Sequence, residues 1–575
     1  MLTAKQVQEL ADITGEDYFS AEGFMRKLYS HDIAALPGLV NDILITEAEA
    51  VAQPVNAKVV SNLLKYCIEQ KIPVVPRGHG TSGYGGALPT RGGLVIETTR
   101  MNEVHDINHE NMTVEVGSGI IWGRLLEILE DEDLTVGAYP SSAPSSTVGG
   151  WVAAGGSGIG STKYGGIREQ VVDMEVVLPD GRIFRTSDPP DDIVTTKGKT
   201  YQYFPGDDSY VWGSQEADVT QDDDVKELLI DSNGALGIIT KVVLKIIPLR
   251  NIHPVVASFR SRNLMQGALA DLLKATRPFY LHFITDSFHR MLVEVGQAPD
   301  TTGEWVILCT FEGTEDDIAG ELEKLKHVVR RHNGTVESEE IAHHEWDERF
   351  YPMRIKRLGP SLAPSEVYVP VERLNEFLAH MDDHFKREKW AAEGAVSDRG
   401  EVAVLTWFLD DERRTIPFLM GWYRSLDVID IGVKYDGRAY SIGMWNVSHS
   451  RSYFGKETYA KMAKIKKQTD PKGYMNPHKV FSGPLKLSLR FNLLIMLAVA
   501  VAVPIVIWLV TWIVPDIVNA YVPWLGVTDL ASALLAFGLG LVIGEVVVEV
   551  ANMIPISFML AIGGPFLRLG RRIWH

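Results

Sequence analysis

The sequence predicts an α+β protein that ends in a transmembrane helical hairpin. Short β-branched runs bounded by Gly, Pro and Asp alternate with amphipathic helical stretches over the first 440 or so residues. Two Gly-rich loops interrupt that pattern at Pro76–Gly86 and Tyr139–Gly165. Two long apolar runs close the chain, each able to cross a hydrocarbon core of about 20 helical residues. The 575 residues include 56 Lys and Arg against 74 Asp and Glu, a net charge of −18. That acidity argues against a nucleic-acid partner, which needs a basic face. A hydrophobic share of 46% with 23% charged residues excludes disorder as the dominant state. Only Cys67 and Cys309 are present. They exclude a disulfide scaffold and a cluster needing about four thiolates.

A helical segment opens the chain (1–40). A first α+β unit follows over 41–250. Pro54–Gln70 has apolar residues at helical spacing, and Lys71–Gly78 then reads as a strand entering a loop. Gly92–Thr98, Thr113–Val116 and Val171–Leu178 read as strands, and Ile121–Glu130 as a helix. Pro179-Asp180-Gly181 turns the chain back into Arg182–Thr186, a hairpin signal. Leu228–Ile230, a turn at Asn233-Gly234, and Ile238–Ile247 extend the strand pattern. The polar stretch 188–199 and the acidic run 218–224 look like surface insertions. A second α+β unit over 251–440 alternates helices (Asp316–Arg331, Val371–Arg387) with strands (Glu304–Phe311, Val402–Leu409). Residues 441–484 close the body, and 485–575 form the hairpin, with spans near 491–514 and 530–563.

The first loop, PRGHGTSGYGG, has glycines at GxGxxG spacing after a strand. A dinucleotide fingerprint must open a helix at once, and here Pro89 and further glycines follow, so the Rossmann reading is rejected. Closely spaced glycines still expose backbone N–H groups able to cradle a pyrophosphate. The second loop is rich in Gly, Ser and Ala, which lets a large planar or phosphorylated ligand approach the backbone.

Four ordered motifs carry a resemblance: IPVVPRGHGTSGYGG, STVGGWVAAGGSGIGSTKYG, VVLPDGRIFRT and SNGALGIITKVVLKIIP. Together they resemble the FAD-binding PCMH-type domain of the vanillyl-alcohol oxidase and p-cresol methylhydroxylase family. The closing DPKGYMNPHKVF resembles the D-lactate dehydrogenase and glycolate oxidase branch. The resemblance implies a two-subdomain FAD-binding domain at 41–250, a substrate or cap domain at 251–440, and a C-terminal return to the FAD domain at 441–484. It implies FAD as cofactor. Arg77, Gly78, His79, Gly80, Thr81 and Ser82 would hold the pyrophosphate, and Pro140, Thr147, Val148, Gly149, Gly150, Ser157 and Gly158 would line the rest of the dinucleotide. Ile238 and Ile239 would meet the adenine side, and Asn476 and Lys479 would approach the flavin.

Three departures shape the expectation. Some relatives attach flavin through a histidine in the first loop; Thr81 stands there, with His79 two residues earlier, so non-covalent FAD is expected. The His-x-Gly-Asp-Gly-Asn-x-x-His metal motif of many 2-hydroxyacid relatives is missing, and no metal is expected. His478 replaces the small residue of the usual GxxNPGKxF ending.

Oxidising a 2-hydroxy acid requires a cation for the carboxylate and a base for the hydroxyl proton, suited to Arg and His. His343-His344-Glu345-Trp346-Asp347-Glu348-Arg349 resembles the family's WxxR segment, with Arg354 just beyond. Tyr440 and His449 lie in YDGRAYSIGMWNVSHSR. Arg349, Arg354, Tyr440 and His449 are therefore the candidate catalytic residues, with His343 and His344 behind them.

Phe491–Val514 is 24 residues without a charge, and the second run has only Glu545 and Glu549, one helical turn apart. Lys486 and Arg490 precede the hairpin and Arg568, Arg571 and Arg572 follow it, which places both ends in the cytoplasm. No apolar leader opens the chain, so the body is expected on the same side. The expected function is a membrane-anchored FAD-dependent dehydrogenase of a D-2-hydroxy acid that passes electrons to a membrane quinone. Two alternatives remain open: oxidation of a lipid, sterol, sugar-lipid or polyol, and a flavin-carrying electron-transfer or assembly subunit of a membrane complex.

Overall fold

The computed structural model describes residues 1–33, 47–187, 194–196, 199–201, 225–414, 418, 423–483, 489–513 and 530–555. Three sheets build the body. The first has the order β1-β2-β4-β3, from Phe19–Ser20 (β1), Ala50–Ala52 (β2), Val74–Arg77 (β3) and Leu94–Glu97 (β4). β2, β4 and β3 run parallel, and their residues are wholly or largely buried, as parallel strands require. The helix Ala57–Glu69 covers them with Val60, Leu63, Leu64 and Cys67. Asn56 starts that helix by accepting a hydrogen bond from the Val59 N–H.

The second sheet is antiparallel. Its strands are Val104–Asn108 (β5), Thr113–Gly117 (β6), Leu134–Val136 (β7), Val171–Val177 (β8), Ile183–Arg185 (β9) and, after a small ribbon of Val194–Thr196 (β10) and Lys199–Tyr201 (β11), Ile238–Pro248 (β12). β12 is inserted between β6 and β8 and also pairs with β7. The expected hairpin of β8 and β9 forms about the Asp180-Gly181 turn. Leu228–Ile230 differs from expectation: Leu228 and Leu229 end a short helix, Val225–Leu229, because three apolar residues fit the inner face of one helical turn as well as a strand. The run 218–224 lies outside the described residues.

The third sheet has eight antiparallel strands: Asn251–Phe259 (β13), Tyr280–Ile284 (β14), Trp305–Gly313 (β15), Thr335–Val336 (β16), Ser361–Pro370 (β17), Trp390–Val396 (β18), Glu401–Asp410 (β19) and Arg438–Ala439 (β20). Period-two alternation splits its faces. Leu281, Phe283, Ile307, Cys309, Val404 and Phe408 pack under the helices Arg262–Ala275, Glu315–Arg331 and Leu374–His384. Tyr280, His282, Leu308, Glu393, Leu405, Trp407 and Glu366 face the other way, over a cavity.

After this sheet the chain returns to the first. Met475 bridges Val74 beside β3, and the Asn476 N–H donates to the Val74 carbonyl at 2.7 Å. Two apolar helices follow, Leu489–Ile513 and Leu530–Met553, both long and apolar enough to cross a membrane. They pack through Ala536, Gly540 and Gly544; Gly540 lies against the Ala500 backbone and Gly544 against that of Met496. The basic Lys486, Arg568, Arg571 and Arg572, on which the expected orientation rests, lie outside the described residues.

Candidate functional site

The cavity measures about 950 Å³ and lies between the two glycine loops and the uncovered face of the eight-stranded sheet. Its floor is the backbone of Arg77–Ser82, Thr147, Gly149 and Gly150, with Pro140, Ser157 and Gly158 alongside and Ile238 and Ile239 at the start of β12. The two loops touch: a Cβ at Gly78 would run into Thr147 Oγ1. Gly80 has φ +67°, a left-handed conformation that glycine adopts without strain. Thr147 starts the helix Val148–Ala154 by accepting from the Gly150 N–H at 3.2 Å.

Three residues expected at the cofactor do not line this cavity. Val148 is wholly buried in the core. Asn476 donates its side-chain amide to the carbonyls of Gly86 and Asn233, and Lys479 Nζ donates to Leu88 O at 2.8 Å. Burial pushes the Lys479 ammonium down to about 7. Both brace the first glycine loop from behind. His478 has φ +67°, which explains why a small residue suits that position.

The four candidate catalytic residues fare differently. Arg349 lines the cavity with its guanidinium carbon 4.1 Å from the Trp346 ring centre and 4.2 Å from that of Phe350. Its Nη1 donates to Trp346 O at 2.7 Å, and its buried Nε has no partner. No described carboxylate forms an ion pair with it. Arg354 also lines the cavity, yet it is committed to Glu345 through two hydrogen bonds of 3.3 and 3.1 Å. Tyr440 OH donates to the Ser157 carbonyl at 2.8 Å, and burial pushes its pKa well up. His449 is not in the cavity. Its Nε2 lies 3.8 Å from Asp430 Oδ1, and burial lowers its pKa from the ordinary histidine value against the pull of that carboxylate. His343 and His344 also lie outside the lining, and among the described residues no His, Cys, Asp or Glu cluster is placed to hold a metal.

The sheet supplies groups that the sequence reading missed. Glu366 of β17 and Glu393 of β18 both pair in register with Leu405 of β19, one on each side. Burial raises the Glu366 carboxyl to about 8, and the nearby Glu393 charge adds to this; a 2.7 Å hydrogen bond from Tyr84 OH opposes it. Glu393 accepts from the Trp407 indole N–H at 2.8 Å and lies 3.4 Å from His282 Nε2. The only sequence signal was polar residues at alternate positions in otherwise apolar strands.

A glycine floor and a polar roof fit a long, phosphate-bearing cofactor. Ser146 supports the fit, because its hydroxyl is buried beside the floor without a hydrogen-bond partner. Fold and site together define a flavoprotein of the PCMH type. Residues 48–187 match the FAD binding domain model, and residues 250–480 match the model for the C-terminal domain of FAD linked oxidases. The chain belongs to this family of FAD-linked oxidases; it is a FAD-dependent oxidoreductase and its cofactor is FAD. It is 24% identical to the glycolate oxidase subunit GlcD of Bacillus subtilis over 84% of this chain and 98% of that protein. It is 25% identical to a D-lactate dehydrogenase of Archaeoglobus fulgidus over 75% of this chain and 90% of the relative. Among solved structures, p-cresol methylhydroxylase with substrate bound shares the fold at a TM-score of 0.67 and 17% identity, covering 83% of this chain and 96% of that one.

Proposed function

We propose that this protein oxidises a D-2-hydroxy acid of the D-lactate or glycolate type to the 2-oxo acid on non-covalent FAD. FAD, when bound, supplies the hydride acceptor. The Arg77–Ser82 backbone would cradle the pyrophosphate, Pro140, Thr147, Gly149, Gly150, Ser157 and Gly158 would hold the rest of the dinucleotide, and Ile238 and Ile239 would lie on the adenine side. The observation that carries the substrate reading is Arg349. It is a cavity-lining cation seated against two aromatic rings, with no carboxylate partner among the described residues and a buried Nε that has no partner, and a guanidinium is suited to binding a carboxylate. The names of the relatives favour the same class.

Anaerobic addition of D-lactate or glycolate is expected to bleach the flavin absorption. Arg349→Lys is expected to raise KM by about tenfold or more with FAD content unchanged. A flavin untouched by every D-2-hydroxy acid would sink this reading. A second reading, a neutral polyol or hydroxylated lipid, is favoured by the two carboxyl groups in the roof, Glu366 and Glu393. Bleaching by such an alcohol alone would establish it.

The apolar helices and the basic residues beyond them support an anchor in the membrane with the body on the cytoplasmic side. Only two cysteines are present, both free and buried, so electrons leave the flavin without a Cys-ligated relay. A membrane quinone is the acceptor that the anchor favours. Resistance of the protein to carbonate extraction from membranes, and quinone reduction by the reconstituted enzyme, test these points.

A further inference from the structure

The cavity lacks the base that His449 was expected to supply, and the roof offers another. We propose that His282 takes the substrate's hydroxyl proton, with Glu393 and Trp407 as its positioning residues. The inference rests on the reading of the cavity as the place where an alcohol is oxidised.

His282 sits at the middle of β14, in register with Leu308 of β15 and Ala395 of β18. The small Ala395 leaves the imidazole room above the cavity, which it lines. Tyr280, two residues earlier on the same face, stacks on the ring at 5.6 Å and 19°. On the other side Nε2 faces Glu393 Oε2 at 3.4 Å. Glu393 is itself fixed, because its second oxygen accepts the Trp407 indole N–H at 2.8 Å. A carboxylate so placed favours the tautomer with its proton on Nε2 and leaves the Nδ1 lone pair to accept. No described residue hydrogen-bonds Nδ1.

The other lining groups are less suited. Arg349 and Arg354 are cations, and the Tyr440 hydroxyl is given to the Ser157 carbonyl. Glu366 retains its own proton to about pH 8. His79 stands in the nucleotide loop with Nδ1 on the Ser145 carbonyl at 2.6 Å. The charged and titratable groups facing His282 are Glu393 from β18 and Tyr280 from its own strand, with Arg349 and Tyr139 behind Tyr280. Of these, Glu393 brings a carboxyl oxygen within 3.4 Å of the ring.

The balance is simple. The hydroxyl proton passes to His282 Nδ1. The carbinol carbon loses its hydrogen with both electrons to FAD, the C–O bond becomes C=O, and the proton later leaves to solvent. Substrate is oxidised by two electrons and FAD is reduced by two.

The test uses the full-length, FAD-loaded protein and whichever alcohol bleaches the wild-type flavin, so failure of the substrate reading and failure of this one are separate results. His282→Gln is expected to lower kcat/KM by about 100-fold or more and to remove the acid limb of its pH profile. His282→Ala is expected to regain activity with added imidazole, which a structural role would not allow. Glu393→Gln should retain FAD and shift the acid limb to lower pH. A readout independent of turnover is proton uptake on oxalate binding, measured by calorimetry in two buffers of different ionisation enthalpy. The wild type should take up a proton near neutral pH, and His282→Gln should not. An unchanged acid limb in His282→Gln, activity within about threefold of wild type, or undiminished proton uptake would each overturn the proposal. If His282→Gln loses its FAD, Glu393→Gln and Trp407→Phe decide: an acid limb unmoved in both rejects it.

Discussion

A single methyl group at residue 78 separates two loops that meet from two that cannot. Gly78→Ala would drive its Cβ into Thr147 Oγ1, the group that caps the next helix. We expect that variant to retain less than about a tenth of the flavin per chain, read as the ratio of flavin to protein absorption, because displacement of a cap costs about 1 kcal/mol and the clash adds to it. Glu366 gives a pH-dependent prediction. Its folded carboxyl titrates at about 8, above the unfolded value near 4.5, so the folded chain holds a proton that the unfolded chain releases. The stability from this group is full below about pH 4.5 and is lost as pH rises through 8. Asp231, raised by burial to about 7, acts in the same direction. Glu366→Gln should therefore lessen the fall of Tm between pH 5 and 8, by at least ~2 °C at the upper end; an unchanged slope would refute the assignment. At this scale the sequence was partly legible. Gly80 and Arg349 could be read because their neighbours in the chain, Arg77 for the first and Trp346 and Phe350 for the second, are their neighbours in the structure. His282 could not, because its partner Glu393 is reached only through the pairing of β14 with β18.

At the scale of elements, the hairpin is held by absence of bulk. Gly540 and Gly544 lie one turn apart on the buried stripe of the second apolar helix. A Cβ at Gly540 would lie 2.5 Å from Ala500 Cα, and one at Gly544 would lie 2.8 Å from Met496 Cα. Small residues let apolar helices approach closely. Gly540→Leu should separate the pair and abolish disulfide trapping between cysteines engineered at positions 496 and 544, at a cost of about 1–3 kcal/mol. Glu545 and Glu549 stand off that stripe and are exposed. Element type was legible wherever the period was long: the helix Ala57–Glu69, the strands Thr113–Gly117, Val171–Val177, Ile238–Pro248, Trp305–Gly313 and Glu401–Asp410, and the two apolar helices follow it. Leu228–Ile230 was not, because three apolar residues define no period.

For the whole molecule, the acidic body and the nearly uncharged tail make separate predictions. A chain ending before residue 485 retains all three sheets and the return segment. It should be recovered free of membranes, keep its FAD and reduce a soluble dye at a rate within about threefold of the full chain, with quinone reduction in vesicles lost. Loss of dye reduction as well would assign the tail a part in the site itself. The juxtaposition of loops and roof was not legible, because it depends on how the eight-stranded sheet lies over the floor.

The return segment has a consequence for the order in which the molecule can be made. β3 receives its neighbour Met475, and Leu88 its Lys479 contact, from residues 391 positions apart in the second case. During synthesis the first glycine loop emerges early but waits for almost the whole body before its brace arrives. The dinucleotide cradle is therefore completed late in translation, after the sheet that roofs it and just before the apolar helices leave the ribosome.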